Sequence, residues 1–266
     1  KNGTVAKHFR APVKVKAKSA RGVSFELEIQ RKTGEPLTDK GNTKINEAKT
    51  CYCLEKGCAS APPQNFGGLG THYFVACCGD DSLSIVNRSF FKERFGTLET
   101  DALKVMWKQS GLDLGYTLTL NIDLTLARAE YCSRWFYPTP DGTIPGGKIG
   151  RVLSRAGYFM DLQDEQTIYS AATGALQDNF HVPYLREYFQ RVLQLCDKAQ
   201  KGAPQAWSWH TSMRHEYDTT TLQFVNTKYG LVDQDFVDFK KLLASVRSLP
   251  VVITWAPLAR CLQVDA

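Results

Sequence analysis

No apolar run in this chain of 266 residues approaches the ~20 residues that a membrane-spanning helix needs, so no segment of it is expected to cross a bilayer. It has no internal repeat and no low-complexity tract, which excludes solenoid and fibrous architectures. No stretch is polar and aromatic-poor enough to predict disorder, and a hydrophobic content of 43% can bury one sizeable core or two modest ones. The opening KNGTVAKHFR carries neither an initiating Met nor a processing signature. Eight cysteines stand at positions 51, 53, 58, 77, 78, 132, 196 and 261. With Cys77 adjacent to Cys78 and no signal peptide, reduced thiols in a cytosolic setting are expected instead of a disulfide framework. Acidic residues are scarce at the start: residues 1 to 32 hold nine lysines and arginines against Glu26 and Glu28. That local excess, more than the net charge of +6, suits a polyanionic partner.

Periodicity divides the rest. GVSFELEIQ (22 to 30) alternates apolar and polar residues, as a half-buried strand does. A helix is expected from about Leu37 to Leu54, with Ile45, Ala48 and Tyr52 as its apolar stripe. APPQNFGGLG is a loop, and THYFVACC and SLSIVN read as paired strands around Gly79-Asp80-Asp81. TLETDALKVMWKQSG (97 to 111) predicts a helix capped by Thr97 or Thr100, LGYTLTLNIDL an extended segment, and AEYCSRWFY (129 to 137) a strand running into a Pro- and Gly-rich turn. From Lys148 onward the pattern is helical, with a short apolar strand and a last helical turn in PVVITWAPLARCLQV. The change of character sets an expected boundary at residue 146/147.

Adjacent aspartates in a hairpin turn repel each other, so Asp80 and Asp81 pose a choice between a solvated turn and a carboxylate site for divalent cations. About forty residues upstream, TGEPLTDKGNTKIN places Gly34, Thr38 and Asn42 four residues apart. From Leu37 on, such residues stack along one helix face.

This order (glycine, threonine and asparagine at that spacing, a Gly-Asp-Asp hairpin, a helix, then an aromatic EYCS strand) resembles palm motifs B, C, D and E of RNA-dependent RNA polymerases of positive-strand RNA viruses. RKTGEPLTDKGNTKIN and AEYCSRWFYPTPDG are most similar to the noda-like and tombus-like groups, and the resemblance runs from about Gly22 to Arg155. It implies an α+β fold, a right-hand polymerase palm of antiparallel sheet and helices over residues 1–146, followed by a mostly helical thumb over 147–266. It also implies an RNA-directed RNA polymerase performing two-metal nucleotidyl transfer. In that scheme Asp80 and Asp81 bind Mg²⁺, with Mn²⁺ as a substitute, and are the catalytic carboxylates. Gly34, Thr38 and Asn42 contact the incoming ribonucleotide, the last two through its 2′-hydroxyl. Cys132 and Ser133 lie near the primer end, and Lys148, Arg151 and Arg155, on one helix face, contact RNA phosphates. The implied partners are RNA template, primer or nascent strand, ribonucleoside triphosphates and other replication proteins. The implied location is the host cytoplasm, in membrane-associated replication complexes.

The chain departs from that pattern in three places. Thr33 stands where the family usually has Ser. GLDLGYTLTLNIDL offers no Lys or His as a general acid, which leaves Lys108 of the preceding helix as a distant candidate. No aspartate occurs before Asp39, so the motif A pair is missing, and the expectation is a C-terminal part of a longer polymerase that is inactive alone. Two other readings stay open: a non-catalytic RNA-binding module in which Gly-Asp-Asp is a structural turn, and a reverse-transcriptase-like palm. The polymerase reading predicts Asp80 at a hairpin tip beside the strand at 22 to 30, with Asn42 on a helix facing it. Cys51, Cys53 and Cys58 lack zinc-site spacing and are read as inert or core thiols. His210 and His215, five apart and with no acidic partner expected, carry no functional expectation.

Overall fold

The structure, a computed structural model, describes residues 14–18, 24–28, 38–157, 164–196, 215–249 and 254–266. The alternating segment near residue 25 yields β2 (Ser24–Glu28), paired antiparallel with β1 (Lys14–Lys18) so that Ala17 lies opposite Phe25. The chain divides into two compact units, Lys1–Asp123 and Leu124–Ala266, each with its own core. Among the described residues no helix is long and apolar enough to cross a membrane.

In the first unit the long helix α1 (Thr38–Lys56) packs against the hairpin β3 (Tyr73–Cys78) and β4 (Asp81–Val86). The expected apolar stripe does not face inward. Ile45 is 46% exposed and Ala48 is exposed, whereas Asn46, Thr50, Cys53, Leu54 and Glu55 are buried. The helix turns this mixed face inward because its neighbour is partly a strand surface and partly a polar turn that needs hydrogen-bond partners. α2 (Arg88–Phe95) follows the hairpin, a helix that the periodicity reading did not anticipate. Asn87 caps it by accepting from the Ser89 N–H, and Gly96 closes it in the left-handed region at φ 72°. α3 (Thr100–Leu112) is capped by neither threonine; the Glu99 carboxylate takes the amides of Asp101 and Ala102. Phe91, Phe95 and Trp107 interlock between α2 and α3 with ring centroids 5.3 to 6.4 Å apart, over Cys51, Leu54, Tyr73 and Leu103. Residues 116–123 form no strand.

The second unit opens with a three-stranded antiparallel sheet of β5 (Glu130–Tyr131), β6 (Arg134–Thr139) and β7 (Gly142–Gly147) in that order. The expected continuous strand over 129–137 is therefore broken at Cys132-Ser133, and the Pro- and Gly-rich segment becomes a strand of its own. Helices α4 (Ile149–Arg155), α5 (Glu165–Asp178), α6 (Pro183–Leu195), α7 (Thr219–Tyr229), α8 (Asp233–Ser245) and α9 (Leu258–Asp265) complete it. Their starts follow local chemistry. Asp164 accepts from the Thr167 amide, Pro183 occupies the first turn of α6, and Asp218 and Thr221 form a capping box. Tyr137, Ile149, Val182, Tyr184, Leu185 and Val225 are fully buried in the core. The strand expected near residue 250 falls largely outside the described residues, and the last helical turn is a full helix, α9. The architecture is thus α+β, with small antiparallel sheets and a helix-rich second unit.

Candidate functional site

Gly79 and Asp80 form the two-residue turn between β3 and β4, since Cys78 and Asp81 are the last paired residues. Gly79 has φ 61° and Asp80 does not share the positive φ, the pattern of a type II′ turn, which takes glycine at its first central position. Asp80 thus sits at the hairpin tip and Asp81 opens β4, both exposed. Among the described residues, no cation or N–H donor is bonded to either carboxylate.

α1 fastens this turn. The Thr43 hydroxyl accepts the Gly79 amide at 2.9 Å. The Asn46 Nδ2 amide donates to the carbonyls of Asp80 at 2.9 Å and Asp81 at 3.0 Å, and more distantly to that of Gly79 at 3.3 Å. Glu55, near the other end of α1, anchors the base of the hairpin. Its buried carboxylate accepts from the Gly68 amide at 2.7 Å and the Tyr73 hydroxyl at 3.1 Å, and pairs with Arg94 at 3.3 Å. One helix therefore holds both ends of β3.

Asn42 is half-buried one turn before Asn46, on the same side of α1, and Thr38 begins the helix. Gly34 and Thr33 lie outside the described residues. The β3–β4 hairpin and the β1–β2 hairpin are separate sheets, so Asp80 is at a tip as expected but its hairpin is not hydrogen-bonded to the strand at 24–28. Sequence reading missed Thr43 and Asn46. The signal for Asn46 was present, because it continues the four-residue spacing of Thr38 and Asn42.

The remaining candidates lie in the second unit. Cys132 and Ser133 are the central residues of the turn joining β5 to β6, with Tyr131 opposite Arg134, and both take positive φ, 50° and 59°. Two successive left-handed residues make a type I′ turn. Without Gly or Asn, each such residue stores strain of about 1–3 kcal/mol. Lys148 does not share an exposed face with Arg151 and Arg155. It precedes α4, is 4% exposed, pairs with Glu130 at 2.7 Å, donates to the Asp265 carbonyl at 3.3 Å and lies 4.4 Å from the Trp135 ring centroid. Arg151 is half-buried with its amide on Asp265 Oδ2, and Arg155 is exposed. Lys108 is exposed on α3. His210 falls outside the described residues, but His215 does have an acidic partner: Asp141, from the β6–β7 turn, lies 3.1 Å from its Nδ1. That pairing spans 74 positions, beyond the reach of a local reading.

Burial governs three of the thiols in the first unit. It holds Cys51 and Cys77 above their ordinary pKa and pushes Cys53 up to about 11, so these remain protonated at neutral pH. Among the described residues no group of three or more His, Cys, Asp or Glu side chains is placed to hold a metal ion. Asp80 and Asp81 are a two-carboxylate donor set. Their hard oxygen ligands suit Mg²⁺, which commonly takes one or two carboxylates and keeps several waters. No protein-family model matches the chain, and no curated protein matches it in sequence.

Proposed function

We propose that this chain is the palm and thumb portion of an RNA-directed RNA polymerase of the positive-strand viral type, with residues 1–146 serving as palm and 147–266 as thumb. The motif order supports this reading, and one structural observation carries it furthest. The carboxylates of Asp80 and Asp81, unpaired among the described residues, sit on a turn hydrogen-bonded to the same helix that bears Thr38 and Asn42. In this reading the metal ligands and the ribose-sensing residues would be joined through a single helix.

In this reading Asp80 and Asp81 would hold Mg²⁺, which when bound supplies charge neutralisation at the triphosphate and favours ionisation of the primer 3′-hydroxyl. The chain's own residues do the rest. Thr43 and Asn46 keep the turn backbone fixed so that the two carboxylates need no reorganisation. Asn42, with Thr38, offers hydrogen bonds to a ribose 2′-hydroxyl, the group that separates ribonucleotides from deoxyribonucleotides. The reading requires further carboxylates of the D-x₄₋₅-D kind from a motif A strand, and no aspartate stands before Asp39 in this chain. It also carries the proposed setting: RNA and ribonucleoside triphosphates as partners, in membrane-associated replication complexes of the host cytoplasm.

The test is RNA-templated ribonucleotide incorporation by the product of the whole open reading frame containing this chain. Activity with Mg²⁺ or Mn²⁺ is expected, and Asp80→Ala should lower it by at least ~10²-fold while RNA binding persists, the scale of losing one preorganised electrostatic group. A wild-type protein that binds RNA but incorporates nothing would instead identify a non-catalytic RNA-binding module and overturn the proposal.

A further inference from the structure

Asn46 is 3% exposed, and its side chain is used in an unusual way. An amide NH₂ has two N–H donors, yet three consecutive carbonyls, those of Gly79, Asp80 and Asp81, converge on Nδ2 within 3.3 Å. The other end of the same amide, Oδ1, is buried with no hydrogen-bond partner. A buried acceptor left unpaired is unfavourable, and reversing the amide would be worse, since it would set Oδ1 against three carbonyl oxygens. The donor end therefore dictates the orientation. Thr43, one turn earlier, takes the Gly79 amide from the same side. Between them, the two side chains bind one N–H and three C=O groups of three successive residues. A turn in need of solvation alone would find water for those carbonyls, since Asp80 and Asp81 are exposed.

We infer that Asn46 is a positioning residue: it fixes the backbone of Gly79, Asp80 and Asp81 so that the two carboxylates project in a constant relation to α1. Its purpose rests on the polymerase reading above, but the clamp itself is a property of this chain and can be tested apart from it. Asn46 lies one helical turn beyond Asn42 on the same side of α1, so a shift of the helix would carry the carboxylates with it.

Hydrogen exchange tests the clamp. In the wild-type chain the Asn46 side-chain amide protons are expected to exchange slowly; exchange as fast as at an exposed asparagine would overturn the inference without any variant. Asn46→Ala is expected to speed exchange across residues 78–82 roughly tenfold, with exchange in α7 unchanged. Asn46→Asp has the same shape but faces three carbonyls with a carboxylate, so it should be worse than Ala. If Asp is tolerated better than Ala, or if neither moves exchange by more than about twofold, the side chain is mere packing and the inference fails. Thr43→Val, which keeps the side-chain shape, should speed exchange at Gly79 in the same sense. Titration of the product of the whole open reading frame with Mn²⁺, read by water-proton relaxation, tests the purpose. Binding that is lost in Asp80→Ala and weakened roughly tenfold in Asn46→Ala at unchanged melting temperature is expected. Equal Mn²⁺ affinity in wild type and Asn46→Ala would overturn the positioning role. A wild type that binds no Mn²⁺ at Asp80 would count against the polymerase reading alone, with the exchange results still deciding the clamp.

Discussion

His181 is 4% exposed in the second unit, edge-on to Tyr137 at 5.9 Å and to His215 at 6.4 Å between ring centroids, and its Nε2 has no hydrogen-bond partner. Burial, then the nearby charges of His215 and Arg134, pull its pKa down to about 4, against the opposing influence of a Pro145 backbone hydrogen bond and Asp178. The folded state thus keeps the ring neutral where the unfolded state, with the ordinary value of 6.5, takes up a proton. The stability present above pH 6.5 is therefore lost as pH falls toward about 4, by up to ~3 kcal/mol. Urea unfolding followed between pH 7 and 4 should show this fall, and His181→Gln should flatten it. A slope equal to wild type in that variant would mean that other groups govern the acid sensitivity. The same scale explains why Asn46 was hard to recognise. A polar residue on a helix normally predicts an exposed position, and only the turn packed against it makes burial favourable.

At the level of elements, α9 and α4 approach backbone to backbone at Gly150. A Cβ at Gly150 would lie 2.5 Å from the Cys261 carbonyl carbon and from the Leu262 nitrogen. This approach brings the Asp265 carboxylate, 6% exposed, to the Trp135 indole N–H at 3.0 Å, the Tyr229 hydroxyl at 2.8 Å and the Arg151 amide at 3.0 Å. Gly150→Ala should force the helices apart and weaken this network, lowering stability by about 3 kcal/mol, measurable as a reduced urea midpoint at unchanged slope. Elements with strong local signals were legible in sequence: α1, the β3–β4 hairpin and the helices of the second unit fall near their expected places. α2 escaped because its phenylalanines at 90, 91 and 95 fit no clean stripe in eight residues. The break in β5–β6 escaped because neither Cys132 nor Ser133 carries the signature of a left-handed turn.

For the molecule as a whole, the division at Asp123 and Leu124 separates two cores that share no residue. The second unit contains its own sheet, six helices among the described residues, and an aromatic centre in which Tyr184 lies 4.9 to 5.3 Å from Phe236, Phe239 and Trp255. A polypeptide of residues 124–266 is expected to fold cooperatively, with a single calorimetric transition and retained near-ultraviolet signals from Trp135 and Trp255. A broad, non-cooperative transition would show that its core needs the first unit. The palm-to-thumb boundary proposed at 146/147 leaves the β5–β7 sheet with the palm by motif, whereas its packing joins it to the helices that follow.

Local order alone determined much of this protein. The hairpin around Gly79-Asp80-Asp81, the placement of Asp80 at its tip, the helix carrying Thr38 and Asn42, and the helical second half all follow from periodicity and turn chemistry acting over a few residues. Tertiary structure decided which side of α1 faces inward, that Asn46 and Thr43 grip the turn, that Lys148 is enclosed by Glu130, Trp135 and Asp265, and that His215 meets Asp141. These depend on contacts across 13 to 117 positions. Whether a polar side chain is better off in water or buried is settled by the partner that folding brings to it, and no window of neighbouring residues contains that partner.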